Sequence, residues 1–158
     1  MADQRASVDP EVELDRAVSD IARWATRERI RRALRSTREA ALPPTEWWLL
    51  ERIALQGPLR MRDLADWQSV DRSTVTTQVR YLEKLGLVAR KPDPDDRRGV
   101  RVHATEVGVR ALDEHNLAMR DFYGRLLASW PDPERAQLAM LLTRFACALS
   151  APPQDSGS

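Results

Sequence analysis

Residues 71–104 read DRSTVTTQVRYLEKLGLVARKPDPDDRRGVRVHA, a helix pattern that is followed by two strand patterns. Asp71 has the short acceptor side chain that commonly caps a helix N-terminus. Gly86 follows the last apolar position of the pattern, where a left-handed residue often ends a helix. These two signals predict a helix from Arg72 to about Leu85.

The second half of the same stretch predicts a β-hairpin. Residues 87–91 and 100–104 have β-type patterns, the second alternating with period two, and the turn-rich sequence PDPDD lies between them. We therefore expect a long charged tip at which two acids and two arginines stand together. These four residues are Asp95, Asp96, Arg97 and Arg98.

Apolar residues at helical spacing predict further helices on both sides of this stretch. Proline breaks, Gly-Pro stops and capping residues mark their ends. The predicted helices are a long first one at about 10–39, a second after the break at 42–44, a short third at about 61–65, a fifth from 106 and a sixth after 130–133. The resulting order is helix, helix, short helix, helix and hairpin, with long helices at both ends of the chain.

Charge limits how this chain could bind nucleic acid. The 158 residues, about one domain in length, include 25 Lys and Arg against 24 Asp and Glu, a formal charge of +1. Residues 58–104 hold ten basic and seven acidic residues, so their net charge is +3 and that of the remainder is −2. Nucleic-acid binding must therefore use a local patch. A separate run at 23–38, with seven arginines and one acid, is either a solvated helix face or a phosphate contact.

Several classes of protein are disfavoured by what the sequence lacks. No apolar run reaches the roughly 18–20 residues that cross a bilayer, and the N-terminal sequence lacks the apolar core of a secretory signal. We therefore expect a cytoplasmic protein without a membrane partner. One cysteine excludes an internal disulfide framework, and two histidines leave little for a metal cage. Without a nucleophile–base motif or a phosphate loop, we expect no enzyme, no catalytic residue, no cofactor and no metal.

The helix that follows Asp71 has two chemically different sides. At 100° per residue, Val75, Val79 and Leu82 share one side, which is predicted to face the core. The other side begins with small hydroxyl residues, which allow close approach to base edges, and ends with long cations that reach phosphates. It consists of Ser73, Thr77, Arg80 and Lys84, with Thr74 and Tyr81 adjoining. Such a face suits a DNA groove, although ordinary solvated helices carry similar ones.

The arginines of the hairpin tip favour a groove contact of a different kind. A tip exposed only to solvent gains little from paired acids and arginines. A tip that enters the narrow minor groove needs an extended arginine, and an acid two positions earlier can hold that arginine.

Residues 60–108, RMRDLADWQSVDRSTVTTQVRYLEKLGLVARKPDPDDRRGVRVHATEVG, resemble the winged helix-turn-helix core of the MarR (multiple antibiotic resistance regulator) family. The resemblance rests on the recognition-helix pattern VDRSTVTTQVRYLEKLGLV, the wing signature DPDDRR at 93–98 and the exit ATEVG at 104–108. It extends over residues 12–149, because the long flanking helices fit the dimerisation region of the family. It implies a mainly α fold with a small β-hairpin wing, namely a winged helix-turn-helix plus a terminal-helix dimerisation region.

The resemblance also implies domains and contact residues. The domains are a helical dimerisation region at 10–40 and 106–150, a DNA-binding domain at 42–105, and flexible tails at 1–9 and 151–158. Asp96 and Arg98 match the wing pair of the family, with Arg98 as the minor-groove arginine. The full predicted DNA-binding set is Arg72, Ser73, Thr74, Thr76, Thr77, Gln78, Arg80, Lys84, Asp96, Arg97 and Arg98.

Apolar stripes on the terminal helices predict a homodimer. Leu14, Val18 and Ile21 form one stripe, and Leu138, Leu142, Phe145 and Leu149 form the other. A monomer would expose both stripes, so a partner is expected to bury them. Two-fold symmetry then predicts double-stranded DNA with an inverted-repeat operator as the partner of the dimer.

The tryptophans indicate where an effector could bind. The family resemblance implies that small aromatic or phenolic ligands bind between the dimerisation and DNA-binding parts. The predicted ligand residues are Arg23, Trp24, Trp47 and Trp48, since flat rings near an arginine suit an aromatic anion. The alternative is that Trp47 or Trp48 fills the core, because adjacent helical residues point about 100° apart.

Together these observations predict a sequence-specific transcriptional regulator, in the form of a ligand-responsive repressor. The alternative is a ligand-binding or partner-binding dimer of the same fold without DNA-binding activity. Cys147 could be a redox sensor, but its apolar neighbours favour a buried packing thiol. His103 and His115 lack Cys or other His partners in the pattern, so a metal site would have to use carboxylates.

Overall fold

The structure, a computed structural model, describes residues 9–25 and 42–150. Its helices are α1 (Pro10–Ala25), α2 (Pro44–Gln56), α3 (Met61–Gln68), α4 (Arg72–Lys84), α5 (Glu106–Leu126) and α6 (Asp132–Ser150). Its strands are β1 (Leu59–Arg60), β2 (Val88–Asp93) and β3 (Asp96–Ala104). The predicted mainly α fold with a small β wing is confirmed. The predicted course of the first helix beyond Ala25, residues 26–38 of the arginine run and the chain ends at 1–8 and 151–158 lie outside the described residues.

Helix boundaries follow the local signals in the sequence. Pro44 occupies the first turn of α2, where a missing backbone N–H leaves no hydrogen bond unmade. Asp71 caps α4, because its Oδ1 atom accepts a hydrogen bond from the backbone N–H of Thr74 at 2.9 Å. Gly86 has φ +71°, the left-handed conformation expected after the end of this helix. The prediction for α4 is thus confirmed to within one residue.

The sheet contains one strand more than the predicted hairpin, and its hairpin is tighter. All three strands pair antiparallel in the order β1-β3-β2. The expected long tip is wrong: pairing continues to Asp93 and Asp96, and only Pro94 and Asp95 form the turn. The physical reason is the carboxylate of Asp93, which is buried and accepts the backbone N–H of Asp95 at 3.0 Å, so the turn folds back on the end of β2.

The core of residues 42–112 is built from the helices α2 to α4 and the sheet, with Leu112 contributed by α5. Val75, Val79 and Leu82 are fully buried, as the period of α4 predicts. Their partners in the core cluster include Leu49, Leu50, Ile53, Leu64, Leu87, Val88, Val102 and Leu112. Since these residues come from nearly every element of this part, each helix is oriented by packing rather than by its own stability.

The exit from the wing into α5 depends on one glycine. A Cβ atom on Gly108 would lie 2.0 Å from the carbonyl oxygen of Leu87, so only glycine permits this approach of helix and strand. Thr105 joins the same two segments, since its hydroxyl donates to the Gly86 carbonyl at 2.6 Å and accepts the Gly108 N–H at 3.0 Å. The ATEVG motif therefore fixes the direction in which α5 leaves the sheet.

Two compact units make up the chain, one that ends at Met119 and one that begins at Arg120. The second unit contains the end of α5 and all of α6, and its turn is tied by Arg135 Nε, which donates to the Trp130 carbonyl at 2.9 Å. Apolar side chains remain exposed along α6, among them Leu142 and Leu149. The same holds on α1, where Leu14 and Ile21 are about half exposed and no residue is buried.

Cys147 is exposed in the protomer, so the expectation of a buried packing thiol is wrong. At 100° per residue Cys147 lies opposite the stripe that contains Leu138 and Leu142, and apolar neighbours in sequence do not cover it. Among the helices of residues 9–25 and 42–150, none has both the length and the apolar character to span a bilayer.

Candidate nucleic-acid interface

The outer face of α4 begins with a network of hydroxyl groups around Asp71. The hydroxyl of Ser73 donates to Asp71, and the Thr74 hydroxyl donates to Asp71 Oδ2 at 2.8 Å. These hydrogen bonds, that from Ser73 first, hold the pKa of the Asp71 carboxyl well below its usual range. The first turn of α4 is therefore rigid, with Ser73 and Thr74 exposed beside the cap.

Two further threonines donate their hydroxyl hydrogens to the helix backbone. Thr76 Oγ1 donates to the Arg72 carbonyl at 2.6 Å, and Thr77 Oγ1 donates to the Ser73 carbonyl at 3.0 Å. A hydroxyl has one hydrogen and two acceptor lone pairs, so these groups present acceptor sites and methyl groups outward. Adenine N6, cytosine N4 and the thymine methyl group are the features of a major groove that match such a surface.

The cations of α4 extend outward as predicted, whereas two predicted contact residues are partly covered. Arg72, Arg80 and Lys84 are exposed, but Thr76 and Gln78 are half-buried. Gln78 Oε1 is buried and has no hydrogen-bond partner among the described residues. An acceptor in that state costs free energy, which a rearrangement of the side chain on binding could recover.

The wing begins at a buried carboxylate. The side chain of Asp93 is fully buried, with Oδ2 at 2.5 Å from Arg60 Nε and Oδ1 at 3.0 Å from Arg101 Nε. Arg101 Nη2 also donates to Asp95 Oδ2 at 2.6 Å. The ion pair with Arg60 is the main reason that the pKa of Asp93 lies far below its usual range. Asp93 is thus an anion that ties three segments of the wing together.

Of the residues predicted at the wing tip, Asp96 is exposed at the start of β3. The backbone of Arg97 and Arg98 belongs to the same strand, but their side chains lie outside what the structure describes. The predicted pairing of Asp96 with Arg98 therefore stays a prediction. The turn brings residues 96–98 next to the cluster around Asp93.

Sequence reasoning missed Arg60, Asp93, Asp95 and Arg101 as a group. The pairing of β1 with β3 places Arg60 directly opposite Arg101, although the two residues are 41 positions apart. A two-residue strand has no readable period, so this juxtaposition could not be seen in the sequence. One signal was available in the sequence. The segment DPDD contains three acids, whereas the predicted wing pair uses only Asp96.

The predicted ligand residues differ in their surroundings. Trp47 is half-buried against the core and stacks on His115, with ring centroids 4.0 Å apart and planes at 13°. Trp48 is 57% exposed on the same helix, so the two tryptophans point apart as expected. On α1, Trp24 is half-buried, and Arg23 forms an ion pair with Asp20.

Burial lowers the pKa of His115, and the nearby Glu51 carboxylate opposes that shift. The ring of His115 therefore favours the neutral form in which it stacks on Trp47. Within the described part of the chain, no three His, Cys, Asp or Glu residues lie close enough together to hold a metal ion.

Comparison with known proteins identifies the family to which the chain is similar. The family model described as "MarR family" matches residues 42–100, which span α2 to the wing. The uncharacterised HTH-type transcriptional regulator YkoM of Bacillus subtilis (strain 168) is 30% identical over 116 residues, covering 71% of this chain and 73% of YkoM.

Two solved structures share the architecture. The transcriptional regulator BldR from Sulfolobus solfataricus is 27% identical with a TM-score of 0.64, over 87% of this chain and 98% of BldR. FabT of Streptococcus pneumoniae, solved in complex with DNA, superimposes with a TM-score of 0.70 over 89% of this chain and 97% of FabT. At 20% identity, the likeness to FabT shows the fold alone.

Proposed function

Because this chain belongs to the MarR family of DNA-binding transcriptional regulators, we propose that it is a homodimeric repressor which a small aromatic or phenolic ligand releases from its operator. The family consists of regulators and not of enzymes, as the sequence predicts for this chain. DNA is accordingly its partner.

The observation that carries the proposal is the open face of α4. Ser73, Thr77, Arg80 and Lys84 are exposed, while the opposite side of the helix is fully buried in the core. A rigid helix that offers short acceptors at its start and cations at its end can enter a major groove and contact both base edges and phosphates. We assign the eight predicted residues of α4 to this role, with Gln78 acting after a change of its side-chain conformation.

We assign the wing to the adjacent minor groove. Asp96, Arg97 and Arg98 follow directly on the anchored turn, and an arginine in a narrow minor groove gains from its enhanced negative potential. Phosphates on both sides of the groove would add contacts that depend on charge and not on base sequence.

The dimer is proposed from the uncovered apolar residues of α1 and α6. Leu14 is 48% exposed and Leu142 is 47% exposed, so each stripe presents apolar surface that a partner could bury. We propose that residues 10–40 and 106–150 form the dimerisation region and residues 42–105 the DNA-binding domain. A two-fold dimer would place two copies of α4 on half-sites whose centres are about 10 base pairs apart.

We propose the effector site at Trp24, Trp47 and Trp48, with Arg23 as the charged group. The exposed ring of Trp48 offers a surface for a flat ligand, and Trp47 links α2 to α5 through its stack on His115. A ligand that binds better to one spacing of the two recognition helices shifts the dimer toward that spacing and so changes DNA occupancy.

Selection from random duplexes tests the proposal. The expected result is an inverted repeat bound by the wild-type dimer, with Thr77→Ala changing the preference among operator variants by roughly 1 kcal/mol while non-specific binding changes little. Arg110→Ala serves as control, because Arg110 is exposed on α5 and lies 3.8 Å from Glu106.

Two results would contradict the proposal. If the selection enriches no duplex at low salt while the protein remains a dimer, the alternative of a ligand-binding or partner-binding dimer without DNA-binding activity would be favoured. Equal losses by Thr77→Ala on all sequences would contradict base reading by α4.

A further inference from the structure

Three basic residues lie in one row across the wing sheet. The register places Lys91 of β2 opposite Arg101 of β3, and Arg101 opposite Arg60 of β1. Residues directly opposite each other in antiparallel strands point to the same face, where like charges repel. The junction of β1 with the wing therefore needs an anion.

Asp93 supplies that anion from the end of β2. Each carboxylate oxygen lies next to a different arginine, Oδ2 at 2.5 Å from Arg60 Nε and Oδ1 at 3.0 Å from Arg101 Nε. The Asp95 carboxylate adds a second negative charge, at 2.6 Å from Arg101 Nη2 and 3.9 Å from Arg60 Nη2. Two acids and two arginines thus form a closed cluster, which we call the wing clamp.

The wing clamp connects the wing to the helix-turn-helix. Arg60 is the N-cap residue of α3, so its backbone belongs to the helix that precedes α4. Its pairing partner Arg101 and the carboxylates of Asp93 and Asp95 belong to the hairpin. Backbone pairing between β1 and β3 consists of Leu59 with Val102 and Arg60 with Arg101, which is a short contact for orienting a hairpin.

We propose that Arg60 is a positioning residue for DNA binding, which holds the wing through Asp93 at the angle where Arg98 enters the minor groove. This inference rests on the proposed role of Arg98. A wing ordered before binding does not lose its conformational freedom when it meets DNA, so its arginine contributes more to affinity. Without Arg60, Asp93 keeps its contacts with Arg101 and with the Asp95 N–H, but it loses the contact that joins the hairpin to β1.

Two other roles for Arg60 make different predictions. An Arg60 that contacts a phosphate would contribute independently of Arg98, and its removal would lower the salt slope of binding by about one. If Arg60 only stabilises the fold, its replacement would lower the melting temperature and leave the contribution of Arg98 to DNA binding unchanged. Of the three roles, only positioning makes the affinity lost by Arg98→Ala depend on the presence of Arg60.

A double-mutant cycle separates these roles. Operator affinity is measured by fluorescence anisotropy for wild type, Arg98→Ala, Arg60→Gln and the double variant, with the selected duplex as the probe. In the wild-type background we expect Arg98→Ala to weaken binding roughly 10-fold. In the Arg60→Gln background we expect the same change to weaken binding only about twofold.

Arg62→Gln is the matched control. Arg62 follows two residues later and is exposed, with its Nε at 3.3 Å from the carboxylate of the adjacent Asp63. The loss caused by Arg98→Ala should stay roughly 10-fold in the Arg62→Gln background. Arg60→Lys, which keeps the charge, should restore part of the dependence and also serves if Arg60→Gln does not fold.

The outcomes distinguish the inference from the proposal on which it rests. An undiminished Arg98→Ala loss in both Arg60 variants would overturn the positioning role while leaving the wing contact intact. If Arg98→Ala leaves the operator affinity unchanged in the wild-type background, both the wing contact and the positioning role would be overturned.

Discussion

The winged unit, which we define as residues 42–119, and the terminal helices α1 and α6 differ in how they use their apolar residues. In the winged unit, Leu49, Ile53, Leu64 and Val79 are fully buried within one chain. On the terminal helices many apolar residues are exposed, and Leu149 of α6 is 72% exposed. The first region has a core cluster of its own, whereas α1 contains no buried residue and α6 has several exposed apolar side chains.

In the proposed dimer, this difference would separate recognition from assembly. The helix that we assign to DNA packs into the core of its own protomer through Val75, Val79 and Leu82. The spacing of two such helices would depend on the terminal helices alone. A ligand could then change operator affinity by altering the spacing without altering the reading surface.

The largest expected effect is a loss of folding stability at the close contact between Gly108 and Leu87. Gly108→Ala would place a Cβ atom 2.0 Å from the Leu87 carbonyl oxygen, so α5 would have to move away from the sheet and its contacts with Thr105 would break. We expect a loss of about 3 kcal/mol in the free energy of unfolding, measured by denaturant titration.

Gly124→Ala is the control in the same helix. A Cβ atom on Gly124 has no heavy atom within 4 Å, so alanine should be neutral or stabilise the helix by up to about 1 kcal/mol. Equal stability of the two variants would contradict the packing assigned to Gly108.

A second test concerns the open face of α6. Leu142→Glu places a charge in the proposed interface, once in each protomer, and should raise the dimer dissociation constant by at least roughly 100-fold. Size-exclusion chromatography with light scattering measures the effect, and the melting of the winged unit should stay unchanged because Leu142 is 47% exposed in the protomer.

Gln137→Glu adds the same charge about 100° away from the stripe and serves as the control. Gln137 is exposed, so its variant should remain a dimer. A Leu142→Glu protein that is still dimeric at micromolar concentration would show that the stripe is not the interface.

The smallest expected effect is a pH dependence in the winged unit. The ion pair with Arg60 lowers the pKa of Asp93 in the folded protein, so the carboxylate stabilises the fold above its ordinary pKa of about 3.9. That contribution is lost progressively as the pH falls below this value. Asp93→Asn should melt roughly 5 °C below wild type at pH 7, and the gap should narrow as the pH falls from about 5 to 2.

Asp113→Asn tests whether the narrowing is specific to the buried carboxylate. Asp113 is exposed on α5, so its variant should follow the wild-type melting curve at every pH. A gap between Asp93→Asn and wild type that stays constant with pH would exclude an ionised Asp93 as its cause.

Local signals were sufficient for most elements of the fold. Pro44, Asp71 and Gly86 each act within a few residues of the chain, so the ends of α2 and α4 could be predicted from residue type alone. The buried side of α4 followed from its period. The extra strand β1 could not be predicted, because it depends on pairing with residues far along the chain. The tight turn could not be predicted either, because it depends on the burial of the Asp93 carboxylate beside Arg60.

The candidate site shows the same division. The exposed hydroxyls and cations of α4 could be listed from the sequence, because a helix orients its side chains at fixed angles. The burial of Asp93 between Arg60 and Arg101 could not be predicted from the sequence, because it depends on the meeting of three strands. The prediction of a buried Cys147 was wrong for a related reason, because apolar neighbours in sequence do not cover a side chain on the outer side of its helix.

Residue types and spacing alone predicted the ends of α2 and α4 and the side of α4 that faces the core, because capping, periodicity and turn chemistry act over short distances. The resemblance to the MarR family added the expectation of a winged helix-turn-helix regulator. Tertiary structure alone decided that Arg60 faces Arg101 and that Asp93 lies between them. Electrostatic pairing in a folded protein depends on distance in space, which the order of residues along the chain does not contain.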